Sequence, residues 1–113
     1  MREQAGRIQV TVVEGGCEVE LVGEIDASLR DQASESMVDV LASRGTVVVD
    51  ASQVTFIDST GLGVLVGALK RVRTNDGDLA LVCTGPRVLK VFEITGLTKV
   101  FAIHGSVDEA LAG

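Results

Sequence analysis

The stretch Phe56-Ile57-Asp58-Ser59-Thr60-Gly61-Leu62-Gly63 places a hydroxyl residue where an apolar run ends and an amphipathic helix begins. We expect Ser59 to lie at the surface, at the positive end of that helix. Serine is a favoured N-cap residue, so capping alone would explain its presence. A serine that a partner protein can reach is also a natural site for reversible phosphorylation. The stretch therefore indicates a switch rather than a catalyst.

Length and composition predict a single domain. The chain has 113 residues, 46% of them hydrophobic, and a mean hydropathy of +0.37. That is enough apolar material for one core, which we expect to cover about residues 8–111 of 1–113. No apolar stretch approaches the roughly 20 residues that span a bilayer, and residues 1–6 lack the apolar segment of a signal peptide. We therefore expect a cytoplasmic protein without a membrane segment.

Charge and cysteine content argue against several classes of partner. The net charge is −6 and the pI is near 4.6. The basic cluster Lys70-Arg71-Arg73 lies in the last turns of a predicted helix, where it complements the helix dipole, so we expect no direct binding of nucleic acid. Cys17 and Cys83 lie far apart without a metal-ligand spacing. We expect two buried thiols, no metal and no cofactor; a redox-sensing disulfide is the alternative.

The first half of the chain reads as a hairpin, a helix and a buried strand. Apolar and polar side chains alternate over residues 8–12 and 17–21, and Gly15-Gly16 between them suits a tight turn. A helix capped by Ser28 and ended by Gly45 follows. Residues 46–50 form a continuously apolar strand, and a linker containing Phe56 and Ile57 leads to the next helix.

The second half alternates helices and strands. The predicted elements are a helix at about 60–74, a strand at 79–83, a helix from Pro86 to Gly96, a strand at 100–103 and a short helix from Ser106. The pattern predicts an α/β fold with a mixed sheet of four or five strands, an N-terminal antiparallel hairpin and about four helices, mainly on one face of the sheet. All three phenylalanines, at positions 56, 92 and 101, read as core residues.

Four segments give the chain a resemblance to a known family. They are Gly23-Glu24-Ile25-Asp26, Val48-Val49-Asp50, Asp58-Ser59-Thr60-Gly61-Leu62-Gly63 and Leu89-Lys90-Val91-Phe92-Glu93-Ile94-Thr95-Gly96-Leu97. With these segments in this order, the chain resembles a single STAS domain, the fold of bacterial anti-sigma factor antagonists. The resemblance runs from about Ile8 to Leu111.

The resemblance implies a partner-switching cycle with Ser59 as the phospho-acceptor. In that family the unphosphorylated protein binds an anti-sigma factor that is also a serine kinase, and so frees a sigma factor. Phosphorylation ends the binding, and a serine phosphatase resets the cycle. The resemblance also implies a docking surface in or beside Asp26, Ser28, Asp58, Ser59, Thr60, Gly61 and Leu62. It leaves one alternative within the family, an adaptor subunit of a membrane transport complex without a phospho-switch.

Two other classes of function find little support in the residues. A hydrolase with Ser59 as nucleophile would need His104, which reads as an ordinary residue after the last strand. The glycines at 61, 63 and 67 have neither the spacing of a dinucleotide fingerprint nor a P-loop lysine. Whether Gly61 and Gly63 serve close approach of a partner or tight packing of the helix is open at this stage. The sequence therefore predicts a binding protein rather than an enzyme.

Overall fold

The computed structural model describes residues 6–13, 16–26 and 45–112. The predicted turn residue Gly15 and the predicted helix from Ser28 lie outside these residues. The described strands and helices are β1 (Arg7–Val13), β2 (Gly16–Ile25), β3 (Thr46–Ile57), α1 (Ser59–Thr74), β4 (Asp78–Val82), α2 (Pro86–Ile94), a 3-10 turn (Leu97–Lys99), β5 (Ala102–His104) and α3 (Val107–Ala112).

The five strands form one mixed sheet in the order β1-β2-β3-β4-β5. β1 and β2 pair antiparallel, as the predicted hairpin requires, and the other three pairs are parallel. α1 connects β3 to β4 and α2 connects β4 to β5, because parallel neighbours need a crossover between them. The α/β class, the mixed sheet and the N-terminal hairpin are therefore confirmed.

Both faces of the central strands are covered. α1 and α2 pack on one face over the larger core, to which α1 contributes Leu62, Leu65, Leu69 and Val72. α3 packs on the opposite face, where Ala110 contacts a smaller cluster of Val48, Ala80 and Val82. The alternation of side chains along β3 and β4 supplies both clusters, because successive residues of a strand point to opposite faces.

The predicted linker after residue 50 is wrong, because β3 continues to Ile57. Its pairing with β2 is irregular in two places. Gly23 pairs with Val54 and Glu24 pairs with Phe56, so Thr55 is an extra residue on β3, a β-bulge. Gly23 has a φ of 84° at this point, a backbone conformation that favours glycine. Bulges interrupt the two-residue alternation by which strands are recognised in sequence.

The bulge also overturns one predicted core residue. Phe92 and Phe101 are buried and pack edge to face with ring centroids 5.9 Å apart. Phe56, however, is 50% exposed. The extra residue at 55 reverses the alternation, so that Ile57 rather than Phe56 enters the core.

Smaller differences occur near the C-terminal end of the described chain. The last strand begins at Ala102 rather than at 100, because Gly96, with a φ of 76°, leads into the 3-10 turn. The amide of Phe101 then donates to the carbonyl oxygen of Leu97 over 3.0 Å. Cys17 and Cys83 are both buried, as predicted.

Candidate functional site

The candidate site lies where β2 and β3 end side by side. Their last residues, Ile25 and Ile57, are partners in the parallel register. The amide of Asp58 donates to the carbonyl oxygen of Ile25 over 3.3 Å. A Cβ atom built on Gly61 would lie 2.5 Å from that same oxygen. The first turn of α1 therefore rests directly on the end of β2, next to Asp26.

Asp58 caps helix α1. Its backbone is extended, with φ −110° and ψ −175°, and its Oδ1 accepts a hydrogen bond from the Gly61 amide over 2.9 Å. The Leu62 amide donates to the Asp58 carbonyl oxygen, also over 2.9 Å. Ser59 is thus the first helical residue, and the interpretation of Ser59 as an N-cap is wrong. A carboxylate caps a helix as well as a hydroxyl does, and Asp58 rather than Ser59 occupies the N-cap position.

The side chain of Ser59 is left exposed beside a shallow open depression. This depression has a volume of about 350 Å³ and is lined by Ser59, Thr60, Gly63 and Val64. A Cβ atom on Gly63 would meet no atom within 4 Å, so the glycine leaves open space next to the serine. The hydroxyl is accessible to a molecule that approaches α1 from its N-terminal end.

The electrostatics of this helix end favour a negative group. The amides of Ser59 and Thr60 precede the first helical hydrogen bond, so they are among the donors that a helix N-terminus leaves unused. The helix dipole adds positive potential, and no acidic side chain lies in the first turn of α1. Asp58, one residue earlier, opposes this effect. An anion on Ser59 would still be close to unused N–H donors.

The structure brings most of the predicted docking residues to this edge, at different depths. Ser59 is exposed, and Thr60, Asp26 and Asp58 are partly exposed. Gly61 and Leu62 are buried, so they shape the surface from beneath. Ser28 lies outside the described residues. Phe56 was predicted to be a core residue but is exposed near this edge. The signal in the sequence for the bulge that exposes it was a glycine inside β2.

The described residues offer no support for a serine hydrolase or for a metal site. His104 lines a separate cavity of about 210 Å³ with Thr46 and Asp78, whereas Ser59 lines the depression on α1. Among the residues that the structure describes, no three metal-ligating side chains form a cluster. The described helices fall short of the length and apolar character needed to cross a membrane.

Together, the fold and this edge define a small α/β domain in which one helix N-terminus is exposed beside the ends of two parallel strands. The family model described as "STAS domain" matches residues 7–110. The chain is 37% identical over 90 residues to an anti-sigma-B factor antagonist of Listeria monocytogenes, which covers 79% of each protein. It is 32% identical over 101 residues to the protein of that name in Bacillus subtilis, covering 89% of this chain and 93% of the relative.

A solved structure of an anti-sigma factor antagonist from Mycobacterium paratuberculosis superposes with a TM-score of 0.85. Its sequence identity is 27%, and the alignment covers 98% of this chain and 95% of the other. The chain belongs to the STAS domain family. The resemblance noted from the sequence is therefore confirmed.

Proposed function

We propose that this chain is an anti-sigma factor antagonist controlled by phosphorylation of Ser59. In its unphosphorylated form it binds an anti-sigma factor that is also a serine kinase, and thereby releases a sigma factor. Phosphorylation ends the binding, and a serine phosphatase restores it. The names of the curated relatives support the general function. The observation that carries the switch is that Ser59 is exposed at the first position of α1 while Asp58 caps the helix.

The position explains how a phosphate could be added without unfolding the domain. A phosphoserine carries about −1.5 to −2 charges at neutral pH. At Ser59 this charge would meet the unused amides and the dipole of α1, and the cap at Asp58 would stay in place. The domain therefore keeps its fold with and without the phosphate, and phosphorylation acts on the binding of the partner.

The partner would be expelled by the cost of desolvating the new charge. A hundredfold loss of affinity corresponds to about 2.7 kcal/mol. An ionised group buried in an interface without a counter-charge costs at least that much. The switch can therefore operate through surface electrostatics alone.

The assignment of the phospho-acceptor is tested by incubating the chain with its cognate anti-sigma kinase and ATP, followed by mass spectrometry. We expect one phosphate, at Ser59. The matched control is Thr60→Ala, which removes the neighbouring hydroxyl and should still accept one phosphate, whereas Ser59→Ala should accept none. Phosphate on Thr60, or no phosphate on the wild type, would overturn the assignment.

The charge mechanism is tested by the affinities of two variants for the anti-sigma factor. Ser59→Ala should bind the partner permanently, because it cannot be phosphorylated. Ser59→Asp should bind more weakly, because its carboxylate places a charge in the interface. Equal affinities for the two variants would show that charge at this position does not control binding. A wild type that binds no anti-sigma factor would favour the adaptor alternative.

A further inference from the structure

Phe56 is an apolar side chain that the fold displays rather than buries. It is 50% exposed, although it stands in β3 between the buried residues Val54 and Ile57. Regular alternation from Val54 would return Phe56 to the core face. The bulge at Thr55 prevents this, and Gly23 on the neighbouring strand has the positive φ found where the register shifts. The exposure of Phe56 is therefore built into the backbone.

Such a bulge needs a reason, because a buried phenyl ring is among the strongest contributors to a core. Bulges are common beside functional sites, where they turn a side chain toward a ligand. Phe56 comes three residues before Ser59, and three residues of chain span at most about 11 Å. The displayed ring and the exposed hydroxyl thus belong to the same edge of the sheet.

We infer that Phe56 is the apolar anchor through which this chain binds its anti-sigma factor, an inference that rests on the proposed function. A protein interface of ordinary size covers about 800 Å² on each partner, equivalent to a disc of radius about 16 Å. An interface of that size centred on the Ser59 hydroxyl extends as far as Phe56. Exposed aromatic side chains near the centre of an interface are the usual energetic anchors of binding.

The surroundings of Phe56 define the chemistry of the partner's surface. Glu24 is its register partner on β2 and so lies on the same face of the sheet, and Asp58 follows two residues later. The anchor is therefore flanked by carboxylates, in a chain of net charge −6. The complementary surface on the anti-sigma factor is an apolar pocket that is basic on the side facing Glu24 and carries no cation opposite Ser59, so that a phosphate there meets no counter-charge.

Binding of the anti-sigma factor to Phe56→Ala tests the inference. The expected result is a loss of affinity of at least about tenfold, typical of an aromatic anchor. Leu111→Ala is the matched control, because Leu111 is 59% exposed but lies at the opposite edge. There it lines a cavity with Thr46 and Asp78, the first residues of β3 and β4. We expect this control to bind within about twofold of the wild type, as for most surface substitutions.

The outcomes separate this inference from the function on which it rests. If the wild type and Ser59→Ala both fail to bind the anti-sigma factor, the proposed function is wrong. If the wild type binds and Phe56→Ala binds equally well, the function stands and the anchor is wrong. An equal loss in Phe56→Ala and Leu111→Ala would also contradict the anchor, because it would not depend on position.

A spectroscopic measurement covers the case in which Phe56→Ala does not fold. The chain has three phenylalanines, and Phe92 and Phe101 are buried. In protein labelled with fluorophenylalanine, the signal of Phe56 should shift on addition of the anti-sigma factor, and the two buried rings should change little. An unchanged Phe56 signal in the saturated complex would overturn the inference.

Discussion

Two glycines in the first turns of α1 have opposite surroundings. A Cβ atom on Gly61 would lie 2.5 Å from the carbonyl oxygen of Ile25, whereas one on Gly63 would meet nothing within 4 Å. Gly61→Ala should therefore destabilise the domain by about 1–3 kcal/mol through overpacking. Gly63→Ala should stabilise it by about 0.5–1 kcal/mol, because alanine favours the helix over the unfolded chain. Urea unfolding of the two variants measures both effects.

The two variants form a matched pair, since each adds one methyl group to the same helix. A similar change in both would show that contact with the end of β2 does not restrict Gly61. The sequence left open whether these glycines serve packing or a partner. It could not decide, because Ile25 is distant along the chain and its contact with Gly61 arises only when β2 and β3 pair.

The N-cap assignment separates the stability roles of two adjacent residues. Asp58→Ala removes the acceptor for the Gly61 amide and should cost about 1 kcal/mol. Asp58→Asn should retain most of the stability, because an amide oxygen also caps. Ser59→Ala should change the free energy of unfolding by less than about 0.5 kcal/mol. Thermal unfolding distinguishes these values. A larger loss of stability for Ser59→Ala than for Asp58→Ala would show that Ser59 is the N-cap.

Helix α3 packs against the sheet through Ala110. Ala110 is 4% exposed and packs against Val48, Ala80 and Val82, whereas its neighbour Leu111 is 59% exposed. Ala110→Asp would bury a carboxylate in that cluster and should cost about 2 kcal/mol or more. Leu111→Asp should change the stability by no more than about 0.5 kcal/mol. Chemical denaturation monitored by circular dichroism tests this pair, and equal effects would show that α3 is not packed as described.

Helices of this chain were easier to predict than the far end of β3. The buried residues of α1, among them Leu62, Leu65, Leu69 and Val72, repeat with helical spacing over about three turns, so its buried face could be identified directly. β3 contains two irregularities of register, and each one shifts the alternation by a residue. The predicted strand therefore ended too early, and Phe56 was assigned to the wrong face. Only the glycine at 23 hinted at this geometry.

The stability of the whole domain should decline at alkaline pH. Burial raises the pKa of the Cys83 thiol above its ordinary value of 9.0, while a hydrogen bond from the backbone of Gly85 acts in the opposite direction. Well below the ordinary value of 9.0, the thiol is protonated in both the folded and the unfolded chain and contributes no pH dependence. Above it, the unfolded chain loses the proton first, so the free energy of unfolding falls as the pH rises.

The decline attributable to Cys83 is at most about 1.4 kcal/mol per pH unit, the limit for a single group. Cys83→Ala removes this thiol and should make the decline shallower. Urea unfolding between pH 8 and about 10.5, the range that spans the ordinary thiol pKa, gives the comparison. Parallel curves for the two proteins would show that this thiol ionises no differently when folded.

The architecture of the molecule followed from its order of elements. Two strands with alternating apolar and polar residues, joined by a tight turn, required antiparallel pairing. The crossover helices required parallel pairing of the later strands. The ends of β2 and β3 meet beside Ser59 because the two strands pair in parallel; the docking residues at this edge were expected only from the family resemblance. The burial of individual residues at this edge could not be predicted from the sequence. Gly61 and Leu62 lie beneath the surface, whereas Phe56 lies on it because β3 contains one extra residue.

The antiparallel hairpin has a practical consequence for attaching probes. Arg7, the first residue of β1, pairs with Val22 near the end of β2, so β1 begins close to the edge that carries Ser59. Leu111, near the end of α3, lies beside the first residues of β3 and β4, at the opposite edge. A fluorophore, affinity tag or surface tether joined ahead of Arg7 would stand next to the proposed docking edge. The same group joined behind α3 would leave that edge facing the solution.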